Sequence, residues 1–471
     1  MTFPSNLFVE PAYILTIPHI SAVEYCILGL ALRFALLGRV DAAHDFTELY
    51  YSRPALENLN SAGLRQLVVY WRMTKFPKGI PEDFTTDAFF EDYIKSYGHE
   101  DLRWPADVKP HQRTEDEAGL NAILSSDQGS KYRMSPAIIP ALELTVKLAE
   151  ERNVDPLTDP KINEILATFP KRPFNQLEDA DLVGSPRCAR VFMSGALART
   201  WDLSDRELDS RAAELLEASR QRYWYGPSSR GSESISELLQ SCNNDTIARS
   251  DSHWEEMGEE KPTTLYQQPA SEEQISNLEK RLNVTLPEDF KAFLRISNGF
   301  KLETRGFAGI WNGYFPGPYL RPVDEIDWID YSNNELPFDQ LTLPFWLRNY
   351  RKRTKANGDE LPDIPIFTDV ICIADEEIDN IWLIPPQLMQ QMRDHYKQLY
   401  EMVNDDGKRI IDRAVYDFAD SWDEYDKLDW GCVYWVSGGA IQLDCFKSFK
   451  AWLENAAWNA KNAGRDYDEA E

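Results

Sequence analysis

The stretch ASEEQISNLEKRLNVTLPEDFKAFLRISNGF, from Ala270 to Phe300, limits the possible folds more than any other part of the chain. It predicts two consecutive helices. Ser271 and Gln274 have the spacing of a capping box at the start of the first helix. Pro287 suits the first turn of the second helix, where its missing N–H costs no hydrogen bond. Gly299 supplies the left-handed residue that ends this helix. The stretch therefore predicts a helix–turn–helix entry into a domain.

The sequence after this entry predicts strands followed by further helices. Short apolar runs bounded by Gly or Pro are typical of strands, and four occur: GFAGIWNGYF, IPIFTDVICIAD, IDNIWLIPP and GCVYWVSGG. A helical pattern over 387–403 separates the third run from the fourth, and FKSFKAWLENAAWNA predicts a last helix with one apolar face. Helices on both sides of a run of strands predict an α+β domain over 269–471 in which one face of the sheet is covered.

The first half of the chain has a different pattern. Residues 1–225 show helical periods and no convincing strand alternation, which predicts an all-α domain. The segment 226–268 is rich in Ser, Gly, Asn and Glu and predicts a flexible linker with one short helix near 235–239. The predicted fold class is multidomain: an all-α N-terminal region, a linker, and a C-terminal α+β domain.

The charge of the chain limits its partners. The sequence contains 78 acidic and 50 basic residues, a net charge of -28. Such a surface repels nucleic-acid phosphates and anionic lipids. The apolar run YCILGLALRFALL contains Arg33 and is shorter than the about 20 residues that a membrane span needs. We therefore expect a cytoplasmic protein with no membrane span and no nucleic-acid partner, which binds other proteins through their basic or mixed segments.

The order of the C-terminal motifs resembles the SUKH superfamily, which includes fungal regulators of cell-wall assembly and bacterial immunity proteins that neutralise toxins. The resemblance rests on LPEDFKAFLRISNGF, on IPIFTDVICIADEEIDNIWLI, and on FKSFKAWLENA, which looks like the terminal helix of the family. It covers about residues 262–471, and the segments 332–362 and 387–421 look like insertions. It implies a mixed or antiparallel sheet flanked by helices. It also implies a non-catalytic, protein-binding domain and, in a fungus, a role in cell-wall or stress signalling.

The sequence contains no motif that commits it to catalysis. It has no phosphate loop or dinucleotide-binding glycine motif, and its six His residues do not have metal-ligand spacing. Its six Cys residues form no Cys-x-x-Cys pair. We therefore predict no catalytic residue, no metal and no cofactor. The acidic run 375–379 has the ligand type for a hard cation, but its pattern favours a solvated turn between two strands.

Aromatic residues beside turns and carboxylates are the candidate partner-binding residues. The stretch IWNGYFPGPYL places aromatic side chains next to Gly and Pro, although a position in the core is favoured for Trp311. The stretch DSWDEYDKLDWG mixes aromatic residues with carboxylates, which suits a basic partner. The residues predicted to bind a partner are Trp311, Tyr314, Phe315, Asp375, Glu376, Trp422 and Tyr425.

Two other functions stay open from the sequence alone. Carboxylates mixed with aromatic residues also suit a glycosidase-like hydrolase, which needs two carboxyl groups within about 10 Å of each other in a pocket. In the other alternative, the helical half carries recognition and the SUKH-like half only targets it.

Overall fold

A computed structural model of the chain divides into two compact units, Met1–Ser228 and Ser229–Arg465. The structure describes residues 7–18, 20–52, 62–80, 82–96, 102, 104–105, 108–126, 138–169, 182–227, 233–251, 260–300, 310–311, 316–317, 319–330, 369–376, 379–436 and 442–462. None of the helices in these ranges is both long enough and apolar enough to cross a membrane.

The first unit contains only helices and turns in its described residues, which confirms the prediction of an all-α N-terminal region. In the described part of this unit, 3₁₀ helices occur at Glu82–Thr85, Pro110–Gln112 and Pro156–Thr158. The α-helices are α1 (Pro11–Thr16), α2 (Ile20–Leu36), α3 (Val40–Tyr51), α4 (Ala62–Met73), α5 (Asp87–Ser96), α6 (Glu117–Ser125), α7 (Ile138–Glu151), α8 (Pro160–Ala167), α9 (Ala189–Met193), α10 (Ala196–Thr200) and α11 (Asp205–Tyr225).

Helices α2 and α11 illustrate how this unit is held together. The apolar run in α2 is buried, as its composition predicts, and Phe34 stacks on Phe8 and Phe46 with ring centroids 4.7 and 5.6 Å apart. Helix α11 begins at a capping box in which Ser204 and Glu207 bond each other's backbone N–H. Near its end, the hydroxyl of Tyr223 donates a hydrogen bond of 3.1 Å to the backbone carbonyl of Tyr50. Long-range contacts of this kind make α11 part of the core.

The second unit combines helices with an antiparallel sheet. Among the described residues, five strands form one sheet in the order β3-β4-β5-β6-β7, each antiparallel to the next, and β1 and β2 form a separate two-stranded ribbon. The strands are β1 (Ile310–Trp311), β2 (Pro316–Gly317), β3 (Asp327–Asp330), β4 (Asp369–Glu376), β5 (Asp379–Ile384), β6 (Gly431–Val436) and β7 (Gln442–Phe446). The helices are α12 (Ile235–Arg249), α13 (Glu272–Leu282), α14 (Glu288–Ile296), α15 (Pro386–Met402), α16 (Asp405–Ala419), α17 (Trp422–Asp426) and α18 (Phe449–Asn462).

The predicted helix–turn–helix entry is present as α13 and α14. Ser271 and Gln274 form the predicted capping box. Pro287 is the N-cap of α14, one position before the predicted one. Gly299 has the predicted positive φ of 99°, but it lies two residues beyond the C-cap of α14, where a Cβ would be 3.0 Å from the carbonyl oxygen of Leu320. Its role is therefore to let the chain turn closely past residue 320.

One face of the sheet packs against helices α12, α13, α14 and α18. Phe290, Phe293 and Phe449 meet at its centre, with ring centroids 5.0 to 5.6 Å apart. Because successive strand residues point to opposite faces, alternate residues of the central strands line this core, namely Ile371, Ile373, Ile381, Leu383 and Cys432. The predicted terminal helix, α18, thus packs on the same core as the helices of the entry motif.

The second face of the sheet is also buried, whereas the sequence predicted one covered face. Trp382 and Trp435 stack on this face with ring centroids 5.6 Å apart. A Cβ at Gly431 would lie 2.9 Å from the Sδ atom of Met389, so α15 lies directly on the sheet. Helix α16 packs beside α15, and α17 beside α16. The segment 387–421 therefore supplies the helices that cover this face, and its first helix matches the predicted one.

The segment 226–268 contains a longer helix than the sequence predicted. Helix α12 contacts α18 and α14. Leu238, Leu239 and Cys242 are almost completely buried in the core of the second unit. Residues 235–249 are therefore an integral helix of the second unit and not a flexible linker. The segment 332–362, which looks like an insertion, lies outside the described residues.

Candidate functional site

The predicted partner-binding residues lie on three separate elements. Trp311 belongs to β1, whose backbone lies beside α12 and α18. Tyr314 and Phe315 lie outside the described residues. Asp375 and Glu376 are at the end of β4, and Trp422 and Tyr425 are on α17.

At the end of β4, Asp375 is held by an arginine of the same domain. The Nε of Arg321 donates to Oδ1 of Asp375 at 2.7 Å, and its Nη2 lies 2.6 Å from Oδ2. Arg321 also donates its Nη1 to the carbonyl of Glu325 at 3.0 Å and its backbone N–H to Ile373 at 2.8 Å. A two-point arginine–carboxylate pair is strong and geometrically specific. Asp375 therefore fastens the segment before β3 to β4, and its charge is already matched inside the domain.

The acidic run around Asp375 spans the end of β4 and the start of β5. Among the described residues, no three His, Cys, Asp or Glu side chains are grouped closely enough to hold a metal ion. Glu376 and Asp379 pair across the β4–β5 ladder. The described part of this run is thus the end of a strand pair. Residues 377 and 378, where the turn is predicted, lie outside the described residues.

On α17, Tyr425 is a core residue. Its side chain is 0% exposed, and its ring meets the rings of Trp422 and Phe418 edge to face at 5.6 and 6.3 Å. Burial raises the pKa of its hydroxyl well above the ordinary value. Because this ring is enclosed, Tyr425 is unsuitable as a contact for a partner, and its predicted role needs correction. Trp422 remains partly exposed.

Trp422 belongs to a partly exposed cluster with Asp412 and Tyr400, here called the carboxylate–aromatic cluster. The indole Nε1 of Trp422 donates to Oδ1 of Asp412 at 2.7 Å. The hydroxyl of Tyr400 donates to Oδ2 at 3.1 Å. The two rings meet edge to face with centroids 5.4 Å apart. Desolvation and the hydrogen bond to Asp412 raise the pKa of Tyr400.

The sequence did not predict Asp412 and Tyr400 as site residues. They come from α16 and α15, whereas Trp422 comes from α17. Asp412 directly follows the buried Ile411 and so lies at the edge of the apolar face of α16. That position predicts a partly exposed carboxylate, but it does not predict which aromatic residues of the neighbouring helices reach it.

Four other carboxylates of residues 386–430 are paired with basic side chains. Ion pairs of 2.6 to 3.0 Å join Asp426 to Lys397, Glu424 to Lys427, Asp420 to Lys447 and Asp417 to Arg413. Three of these carboxylates belong to the stretch DSWDEYDKLDWG. The charges of these four carboxylates are therefore matched within the domain.

A comparison with protein families identifies the second unit. Residues 269–425 match the model of the SMI1 / KNR4 family (SUKH-1). The chain therefore contains a SUKH-1 domain. The match confirms the resemblance carried by the helical entry motif and by strands β4 and β5, and no family model matches the N-terminal half. Comparisons with curated proteins and with solved structures gave no match.

The matched residues are only part of the folded unit. The match begins just before α13 and ends within α17. Strands β6 and β7 then extend the same sheet, and α12 and α18 complete its first core. The folded unit that contains the SUKH-1 match therefore has packing elements on both sides of the matched residues.

Proposed function

We propose that this protein is a non-enzymatic interaction protein whose SUKH-1 domain binds other proteins. The SUKH-1 match carries the proposal, because the superfamily includes regulators and immunity proteins that act by binding. If the chain is fungal, the corresponding role is regulation of cell-wall assembly or of stress signalling. A cytoplasmic location agrees with this role.

The charge of the domain supports basic partners. Residues 386–430, which form α15, α16 and α17, contain 11 acidic and 6 basic residues. The excess of negative charge increases the rate at which a basic partner meets this surface. Partly exposed aromatic side chains such as Trp422 and Tyr400 offer apolar contact area, which acidic side chains alone lack. A surface of this composition suits partners with basic or mixed segments.

Affinity capture with quantitative mass spectrometry tests the proposal. The full chain is compared with a fragment of residues 229–471, and circular dichroism establishes that the fragment is folded. We expect the fragment to retain the protein partners of the full chain. If the folded fragment captures none of them, the helical half carries recognition. If neither protein captures a specific partner, the proposed function is wrong.

A further inference from the structure

We propose that the carboxylate–aromatic cluster of Asp412, Tyr400 and Trp422 is a binding site for an arginine side chain of a basic partner segment. The inference rests on the proposed function, since it gives the chemistry of the partner. It adds a site and a ligand class that the family match does not specify.

The first support is that the carboxylate is already oriented. Trp422 and Tyr400 each donate one hydrogen bond to a different oxygen of Asp412. A carboxylate has about four lone-pair positions, so two of them remain for a ligand. The two donors fix the plane of the carboxylate before binding, which lowers the entropy that a partner loses when it is ordered there.

The second support is that the charge of Asp412 is not matched by an ion pair. Among the described residues, no basic side chain lies within 4.0 Å of its carboxylate, although four other acids of residues 386–430 have such partners. Neither hydrogen-bond donor to Asp412 carries a charge. A cation placed on this carboxylate would therefore form a new ion pair instead of competing with an existing one.

The third support is that one aromatic ring of the cluster already accepts a cation. Lys408 is one helical turn before Asp412, a spacing that permits an ion pair. Its ammonium nitrogen lies instead over the ring of Tyr400, 5.3 Å from the centroid. An incoming cation can use the same kind of cation–π attraction.

Arginine fits a carboxylate that lies beside aromatic rings better than lysine does. Its planar guanidinium forms two parallel hydrogen bonds with a carboxylate and stacks on aromatic rings, whereas an ammonium acts as a point charge. The same domain contains an example of such paired hydrogen bonding, because Arg321 binds the carboxylate of Asp375 through two nitrogen atoms. Asp412 has aromatic neighbours on which a guanidinium can stack.

The test measures binding of fluorescein-labelled peptides to the full chain by fluorescence anisotropy at low ionic strength. The probe is Gly-Ser-Arg-Gly-Arg-Ser-Gly, and the comparison peptide has Gln in place of each Arg. Asp412→Asn keeps the size of the side chain and removes its charge. Asp423→Asn is the matched control, because Asp423 is an exposed carboxylate on the neighbouring helix α17.

We expect the protein to bind the arginine peptide and not the glutamine peptide. Asp412→Asn should weaken binding about tenfold, which is the scale of a lost charged hydrogen bond. Asp423→Asn should change binding less than about twofold, as expected for an exposed charge. Equal losses in the two variants, or equal binding of the two peptides, would overturn the inference. Partners captured equally well by Asp412→Asn and by the unmodified chain would overturn it as well, while the proposed function would stand.

A second pair of variants decides the question if Asp412→Asn does not fold. Lys408→Met removes the cation that occupies the Tyr400 ring, and Lys427→Met removes the same charge from the end of α17. We expect Lys408→Met to strengthen binding of the arginine peptide more than Lys427→Met does. If the two variants have the same effect, the peptide responds only to net charge, and the inference is wrong.

Discussion

The carboxylate of Asp289 accepts a hydrogen bond of 2.8 Å from the backbone N–H of Lys450. Asp289 is in the first turn of α14, and Lys450 is in the first turn of α18. The first N–H groups of a helix lack partners within the helix, and negative charge is favourable there. Asp289, from the motif LPEDF, therefore caps the terminal helix of the domain, so two of the stretches on which the family resemblance rests are in direct contact.

We predict that Asp289→Ala destabilises the SUKH-1 domain by about 1 kcal/mol, the typical cost of a lost helix cap. Asp289→Asn should cost less, because the amide oxygen can still accept the hydrogen bond from Lys450. Urea unfolding of the full chain, followed by circular dichroism, measures the difference. Glu273→Ala is the control, since Glu273 is an exposed acid in the first turn of α13. Equal effects of Asp289→Ala and Glu273→Ala would show that the contact with α18 is unimportant.

We predict that Leu239→Ala destabilises the second unit by about 2–5 kcal/mol, as expected for a large-to-small change in a core. Leu239 is 0% exposed and belongs to the same core as the sheet. Gln240→Ala on the same helix should have little effect, because Gln240 is exposed. Thermal unfolding of the full chain measures both variants. Similar melting temperatures for Leu239→Ala and the unmodified chain would mean that α12 is only a linker after all.

The sequence predicts best those features that depend on neighbouring residues. The capping box at Ser271 and the left-handed backbone at Gly299 are local, and both are present. Strands β5 and β6 lie within predicted apolar runs, and β4 extends one residue beyond its run. Strands β3 and β7 were missed, because DWID and QLDCF are short, contain Asp, and become strands by pairing with β4 and β6.

Features that depend on distant contacts were less predictable. The apolar face of α15 indicates that this helix is buried, but not that it covers a second face of the sheet. The carboxylate–aromatic cluster has one residue from each of three helices, so no single stretch reveals it. Tyr425 was predicted to bind a partner because carboxylates surround it in the sequence. In the structure its ring is buried in the core. The side of the helix on which a residue lies determines whether its side chain is buried, and the residue types beside it in the sequence matter less.

The contact between Gly431 and Met389 gives a prediction about the second face. A Cβ at position 431 would be 2.9 Å from Sδ of Met389 and 3.4 Å from Cβ of Ile384. We expect Gly431→Ala to destabilise the domain by about 1–3 kcal/mol, the usual cost of overpacking. Chemical denaturation measures this loss.

The same contact predicts that the effects of two substitutions are not additive. Met389→Ala makes room for the new methyl group, so the double variant should be more stable than the sum of the two single losses implies. Additive losses in this double-mutant cycle would show that α15 does not press on β6 at this point.

Cysteine labelling provides an independent test of the buried second face. Cys372 is 0% exposed on this face, and burial raises the pKa of its thiol to about 11. A raised pKa disfavours the thiolate, which is the reactive form, so about one thiol in a thousand is ionised at pH 8. We expect iodoacetamide at pH 8 to leave Cys372 of the native protein unmodified over hours, as measured by peptide mass spectrometry.

Partial opening of the second face of the sheet should make the thiol of Cys372 accessible to iodoacetamide. Gly431→Ala weakens the packing of α15 against β5 and β6, so Cys372 should be labelled faster in this variant than in the unmodified chain. Cys242 is the control within the same protein, because it is buried in the opposite core beside α18. Faster labelling of Cys372 with unchanged labelling of Cys242 indicates local opening at α15. Equal acceleration at both thiols would instead indicate that the whole domain unfolds before either one reacts.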